Sequence, residues 1–433
     1  MIVSPRSLRS PAKDHKGLLA LQALRRGLVV TALVAAVLLP GCSRDPVKQT
    51  LAGLRRGTAA QRRAAAEELG QMRDARAVEP LIAALQDPDD SVADAAAVAL
   101  GRVADSRAIR PLAAALKKPA TRWSAAEALV GLGAPALETV IAALSNPDVE
   151  ISRALLPHLK QHNVKDPRLV EPLVRQLRSS DWFVRHSAAE SLGRIGDLRA
   201  VEPLANALRD DNRMVREEVA RVLGEMGDLR AVDALLVALR ELNTAEAARA
   251  LGKLGDTRAL EPLAATLHGD DIGMRGPAAE GLGLMRDPRA IEVLLAEILN
   301  WELRTVVGNG LAAANWKPTT EREQVYLWVC QGNAAALARA RAQTCRVLLE
   351  DVQSNDKPRI DHAVFALVSL GWEDMVPELK RILDESGHEE MAETYLNCGH
   401  EELRVAAKVW GDRHKYAITP YGGSRKTSWG AWR

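Results

Sequence analysis

The chain has 433 residues, 47% apolar, 26% charged and only 3% aromatic, a composition normal for a folded protein and a length that suits two or three globular domains or one elongated array. Long runs of alanine and leucine with so few aromatics favour the array, in which small residues pack between close helices. The formal charge of +2 is misleading: residues 1–41 hold six of the 58 Lys/Arg and, in Asp14, one of the 56 acids, so the remainder carries 52 against 55, a formal −3. A nearly neutral body has no global charge reason to seek nucleic acid, and none is expected as a partner.

Residues 27–39 form an uncharged apolar stretch behind Arg25 and Arg26. Its length is that of a signal-peptide core, too short for a stable spanning helix. It ends in Leu39, Pro40, Gly41 and Cys42, which resembles the lipobox of bacterial lipoproteins. Pro40 and the long polar leader depart from that pattern, and the residues around the arginine pair match a twin-arginine signal poorly. The resemblance implies cleavage before Cys42, acylation at Cys42, a signal peptide over 1–41 and a lipidated tether over 42–50. It places the protein in the bacterial cell envelope, lipid-anchored and facing the periplasm or the exterior, without settling which membrane.

From residue 51 the chain repeats. A leucine closing a run of small residues recurs at Leu69, Leu100, Leu129, Leu159, Leu192, Leu223, Leu251, Leu282 and Leu311, and six of the nine are followed by Gly. A second landmark, Asp-x-Arg-Ala, keeps the same period at Asp74, Asp105, Asp197, Asp228, Asp256 and Asp287, with a looser copy at Asp166. Two landmarks on one period of about 30 residues mark a repeat architecture. Each unit reads as two helices. The Asp caps the first, and the Pro of Glu-Pro-Leu sits early enough for its missing N–H to cost little. The alanines before the frame leucine let second helices approach closely, and the glycine after it suits a left-handed C-terminal cap.

Seven residues before the frame leucine stands an arginine in six units: Arg62, Arg122, Arg185, Arg216, Arg275 and Arg304. Acids recur with the same period, so the column is expected to be a structural ladder, each arginine bonding an Asp of an adjacent inter-helix turn, rather than a phosphate track.

These landmarks resemble the HEAT-like repeats of the phycobilisome-lyase type. The resemblance implies an all-α fold, an α-solenoid wound as a right-handed superhelix of HEAT-like helix pairs, with about nine units over 51–315. Such repeats serve as scaffolds, chaperone-like platforms and inhibitors, and in a few relatives they handle bilin chromophores.

After residue 300 the texture changes, with twelve of the fifteen aromatics in that part. Residues 316–415 are expected to be divergent helical repeats forming a cap, with helices near 321–331, 360–370, 375–383, 389–396 and 401–410 and Thr319 or Thr320 capping the first. Bulky side chains there are expected to shield the end of the core. Residues 416–433 read as an extended or disordered tail.

Little chemistry is written in the chain. It has no phosphate loop, no nucleophile elbow and no His-Glu-x-x-His. Cys398, His388, His400 and His414 match no zinc spacing, so no metal, cofactor or catalytic residue is assigned. A Cys330–Cys345 disulfide is left open, with Cys398 expected to be buried and free. The better signal is departure from the repeat on the second helices, which line the concave side of HEAT-type arrays. Trp123, Glu127, Arg153, His186, Glu190, Arg221 and Arg249 fall on stripes there, with Trp182 and Phe183 near by, and are the candidate partner-binding face. The expected function is a non-enzymatic scaffold or adaptor for a protein or peptide, membrane-held through N-terminal acylation; the alternative is a bilin or small-ligand handler. The sequence does not give the oligomeric state.

Overall fold

The computed structural model describes residues 45–416, and every regular element among them is helical. The signal stretch, Cys42 and residues 417–433 lie outside the described residues. The chain divides between Ala128 and Leu129 into two compact units.

The first unit holds α1 (Pro46–Arg56), α2 (Ala59–Met72), α3 (Val78–Ala84), α4 (Asp90–Val103) and α5 (Ile109–Ala115); α6 (Arg122–Gly131) carries the division. Asp45 caps α1, so the first helix starts at Pro46 and takes in residues expected to be tether. The second unit continues in pairs: α7 (Leu137–Leu144) with α8 (Val149–Gln161), α9 (Val170–Gln176) with α10 (Trp182–Ile195), α11 (Val201–Ala207) with α12 (Arg213–Met226), α13 (Val232–Leu242) with α14 (Ala245–Leu254), α15 (Leu260–Leu267) with α16 (Ile272–Leu284), and α17 (Pro288–Ala296) with α18 (Arg304–Ala313). Less regular helices follow: α19 (Glu321–Cys330), α20 (Ala334–Arg339), α21 (Arg341–Val352), α22 (Lys357–Leu370), α23 (Val376–Ser386), α24 (Glu389–Asn397) and α25 (Glu401–His414).

The Asp-x-Arg-Ala elements before the one at Asp287, which caps an α-helix directly, do two jobs. The Asp accepts the backbone N–H two residues on, as Asp74 does from Arg76 at 2.8 Å, and so caps a 3₁₀ turn that leads into the short first helix. Its Arg folds back onto the same carboxylate and reaches the preceding unit, Arg230 to the Leu198 carbonyl at 3.1 Å and Arg258 to Asp233 at 2.7 Å. This Asp-x-Arg edge is a ladder that the period alone did not disclose.

The glycines after the frame leucine are not caps, because they sit inside their helices. A Cβ on Gly70 would meet the Ala99 backbone at 2.8 Å, and one on Gly224 would meet Ala250 at 2.8 Å. They exist for close approach of neighbouring second helices. The left-handed C-terminal positions fall further on, at Arg73, Ala104, Gly196, Gly227 and Gly255. The frame leucines themselves are fully buried or nearly so, each contributing roughly 2–3 kcal/mol relative to exposure.

In the C-terminal helices, Thr320 caps α19 in a reciprocal capping box with Glu323, and Thr319 also donates to that carboxylate. Helix α22 is buried from Ile360 through Leu370 and is the central element of this region. A helix buried on every face persists only where neighbours cover it all round, and its buried Asp361 and His362 lie inside that cover. Cys330, Cys345 and Cys398 are all free thiols. Cys330 Sγ–H donates to the Ile298 carbonyl and Cys345 contacts Met375, so the disulfide left open by the sequence is not formed. No single helix among the described residues is long and apolar enough to cross a membrane.

Candidate functional site

The arginine column divides. Arg62 bonds Asp87 of the following turn at 2.6 Å, and Arg185 holds Asp210 and Asp211 of the following turn, each at 2.6 Å, as the ladder expectation requires. Arg216 instead donates to the Asp210 and Asp211 carbonyls of its own turn, Arg275 to Gly269 and Arg304 to Trp301. Arg122 likewise reaches the Leu116 carbonyl. The expectation of an Asp partner is corrected for Arg216, Arg275 and Arg304: these arginines bond main-chain carbonyls of the turn that precedes their own helix.

The candidate partner face is largely spoken for. In the first unit Trp123 is 48% exposed and Glu127 is also exposed. In the second, Arg153 pairs with Asp181 and stands 5.8 Å from the Phe183 ring, Glu190 takes Lys160 at 2.7 Å, Arg221 pairs with Glu218 and Glu225, and Arg249 bridges to Glu280 on the next second helix. His186 is half-buried and edge-on to Trp182, which is 45% exposed. Departure from the repeat on this stripe thus marks inter-helix ion pairs as much as open surface. Such exposed pairs are individually worth little; those of Arg153, Glu190 and Arg249 join one repeat to the next, while Arg221 pairs within its own helix.

A better-formed site lies in the C-terminal part of the second unit. After α17 the chain makes an irregular turn in place of the usual short break, and this turn and the start of α22 enclose a cleft of about 500 Å³. Glu297, Glu302, Asp356 and Asp361 stand in its walls with one cation, Lys357; Leu299 and Pro358 add apolar surface, and Trp301 and Phe365 form the floor with ring centroids 5.5 Å apart. Lys357 bonds Asp361 at 3.1 Å, and the buried Thr394 hydroxyl of α24 donates to the same carboxylate at 2.5 Å. The wall is therefore fixed from behind.

Behind the floor lies a polar cluster in a dry setting. Arg304 places its guanidinium 4.1 Å from the Trp301 ring, a cation–π contact of the kind worth more when desolvated. His362 is completely enclosed, edge-on to Tyr326 at 4.9 Å and to Trp301 at 6.4 Å, and neither ring nitrogen has a hydrogen-bond partner among the described residues. Burial, reinforced by the Arg304 charge, holds its pKa down at about 3. Asp351, with no exposed side chain, receives the Tyr326 hydroxyl at 2.7 Å, Arg322 at 3.0 Å and Arg359 at 2.5 Å. Burial pushes its carboxyl up to about 6 against the pull of the Tyr326 hydroxyl and Arg322, and pushes the Cys330 thiol up to about 12.

Chemically this is a cleft that attracts positive charge and offers apolar surface beneath it. Thr394 is buried and does not line it; the polar contacts in its walls are the Lys357–Asp361 ion pair and the Asn300 amide, which donates to Glu297 at 2.8 Å. Among the described residues no group of three metal-ligating side chains comes together. Cys398 donates to the Tyr395 carbonyl, His388 contacts the Ser354 carbonyl and His414 stacks on Trp410. The sequence placed bulky side chains here as core, which Trp301 and Trp410 are, each at most 7% exposed. It missed Glu302, Asp356, Lys357 and Asp361, since a cleft built from two segments sixty residues apart has no local spacing. The one available signal was the break in the repeat at Trp301.

No curated protein matches the chain. Among solved structures, human deoxyhypusine hydroxylase in complex with glycerol is 25% identical over 56% of this chain and 95% of its own, with a TM-score of 0.27. The complex of CpcE and CpcF of phycocyanin lyase from a Nostoc species is 22% identical, covering 60% of this chain and 95% of that one at a TM-score of 0.26. Yeast importin-beta is 15% identical, covering 84% of this chain and 58% of its own at a TM-score of 0.44, so this chain spans little more than half of it. The HEAT-repeat family model matches residues 47–130, 137–213, 170–244 and 241–311. With paired helices, Asp-capped turns and glycine-mediated stacking over well more than half of its length, the chain belongs to the HEAT-repeat family.

Proposed function

We propose that this protein is a non-catalytic scaffold that binds a protein segment rich in basic and aromatic residues in the cleft between the 297–302 turn and the start of α22. The observation that carries this reading is the cleft itself: four carboxylates against one lysine over a floor of Trp301 and Phe365. Its volume lies in the range of ligand sites, and its walls favour a cationic side chain while its apolar part accepts a ring or stem. The HEAT array supplies the rigid platform.

The test is calorimetric titration of the full chain with a short peptide bearing Arg and Trp and no acid, beside a control with Glu for each Arg. The first is expected to bind with a Kd of about 10–100 μM, a range ordinary for a short flexible peptide, and the control not measurably. Equal binding of the two peptides, or binding unaltered by the double variant Glu302→Lys/Asp356→Lys, rules the reading out.

The same proposal includes acylation at Cys42 and a place in the bacterial cell envelope, carried by the lipobox resemblance. Cys42→Ser is expected to move the protein from the membrane to the soluble fraction, and unchanged membrane retention counts against a lipid anchor. The alternative of bilin handling is disfavoured by charge, because acidic walls repel the propionates of a linear tetrapyrrole. Visible absorbance from a tightly bound pigment in the purified protein would reverse that preference.

A further inference from the structure

The chain itself carries a segment of the chemistry the cleft selects. Residues 417–433 contain Arg425, Lys426 and Arg433, no acid, and the aromatic residues Tyr421, Trp429 and Trp432. Their formal +3 matches the −3 of the cleft's four carboxylates and one lysine.

Where the described chain stops is as informative. At its last described residue the Tyr416 hydroxyl donates to Glu393 on α24, at 3.3 Å. The neighbouring residue on that helix, Thr394, is the one whose hydroxyl holds Asp361 in the cleft wall, and it also meets Lys357 at 3.4 Å. His388, at the start of the same helix, contacts the Ser354 carbonyl just before that wall. Residues 417–433 thus begin one helix away from the cleft; a helix is about 10–12 Å across, and seventeen residues extend to about 55 Å.

Resting on the cleft reading above, we infer that residues 417–433 are an intramolecular occupant of the cleft, a pseudo-ligand that places a Trp ring over the Trp301 floor and its cations among Glu302, Asp356 and Asp361, so that a partner must displace it. Tethering presents the segment at a millimolar effective concentration, so even a weak contact competes with a free partner.

The experiment uses the full chain. A photo-crosslinking phenylalanine analogue is placed at Trp432, and equal amounts of isotopically light and heavy protein are mixed before irradiation. Links within one chain to residues 296–302 and 356–365 are expected. Links elsewhere, links only between light and heavy copies, or none, overturn the inference.

A second arm measures the Arg/Trp peptide on the full chain and on the variant Arg425→Glu/Lys426→Glu/Trp429→Ala/Trp432→Ala. The variant is expected to bind it roughly tenfold more tightly, the relief that removing a tethered competitor gives. Equal affinity for both proteins leaves the cleft reading standing and removes the pseudo-ligand. Binding to neither removes the cleft reading and this inference together.

Discussion

Gly252 on α14 backs onto the main chain of Gly281 on α16, so closely that a Cβ on Gly252 would collide with the Gly281 carbonyl. The contact recurs along the array, against Gly310 from Gly283 and against an Ala or Val from Gly70, Gly193 and Gly224. Gly252→Ala is expected to destabilise the protein by about 2 kcal/mol or more, since neither backbone can yield without opening the stack. Gly53→Ala in α1, whose added methyl meets only the Ala65 methyl at 3.7 Å, is expected to stabilise by about 0.5–1 kcal/mol through helix propensity and unfolded-chain entropy. Denaturant midpoints for the two variants measure both. Equal and opposite signs in the reverse sense would mean the frame glycines are ordinary helix positions.

The two kinds of arginine in the column should separate. Arg185 is nearly buried with Asp210, whose side chain is 7% exposed, so Arg185→Ala strands a buried carboxylate. The expected cost is about 3 kcal/mol. Arg216→Ala loses carbonyl contacts that water can replace in part, and about 1 kcal/mol is expected. Thermal melts of both variants check this, and a smaller loss at Arg185 than at Arg216 would contradict the assignment.

His362 gives a pH dependence with a definite sign. Its folded pKa, about 3, lies below the ordinary 6.5. The folded state therefore binds fewer protons than the unfolded one between those values, and stability falls as pH drops from about 6.5 towards 3, by about 1.4 kcal/mol per unit. Asp351, raised by burial, acts in the opposite sense from about 4 to 6, so the histidine must be isolated by difference. His362→Met is expected to match or exceed the parent at pH 7 and to lead it by about 2–3 kcal/mol at pH 4.5, where partial titration has set in. A stability difference that does not vary between pH 7 and 4.5 would show that the imidazole is not held neutral.

Most of the fold was legible because it is written in local, repeated physics. The frame leucines, alanines and Asp caps are each fixed by neighbours within one helix pair, and the period repeats the evidence. The glycines were legible as positions but not as contacts. Gly70 and Gly224 read as caps because a helix end favours glycine, while their function, close approach to the next second helix, depends on a residue some thirty positions away. The arginine column was misread at Arg216 and Arg275 for a related reason: a carbonyl of the arginine's own turn leaves no mark in side-chain sequence, whereas an Asp does. The cleft was least legible. Glu302 and Asp361 share a wall only because the 297–303 turn replaces a regular break and α22 is drawn into the core, a tertiary outcome with no period. The stripe of Arg153, Glu190 and Arg249 stood out by composition, and each of these residues makes an ion pair to a neighbouring helix that the sequence did not disclose.

Backbone amide hydrogen exchange of the variant Arg425→Glu/Lys426→Glu/Trp429→Ala/Trp432→Ala, whose own C-terminal residues no longer compete for the cleft, with and without saturating Arg/Trp peptide, tests the central claim most directly, because it reports where a ligand settles without presupposing the site. Added protection is expected in residues 297–303 and at the first turn of α22, with α10 and α12 unchanged. Protection centred on Trp182 and His186 instead, or no change in the 297–303 turn at saturation, would contradict the account.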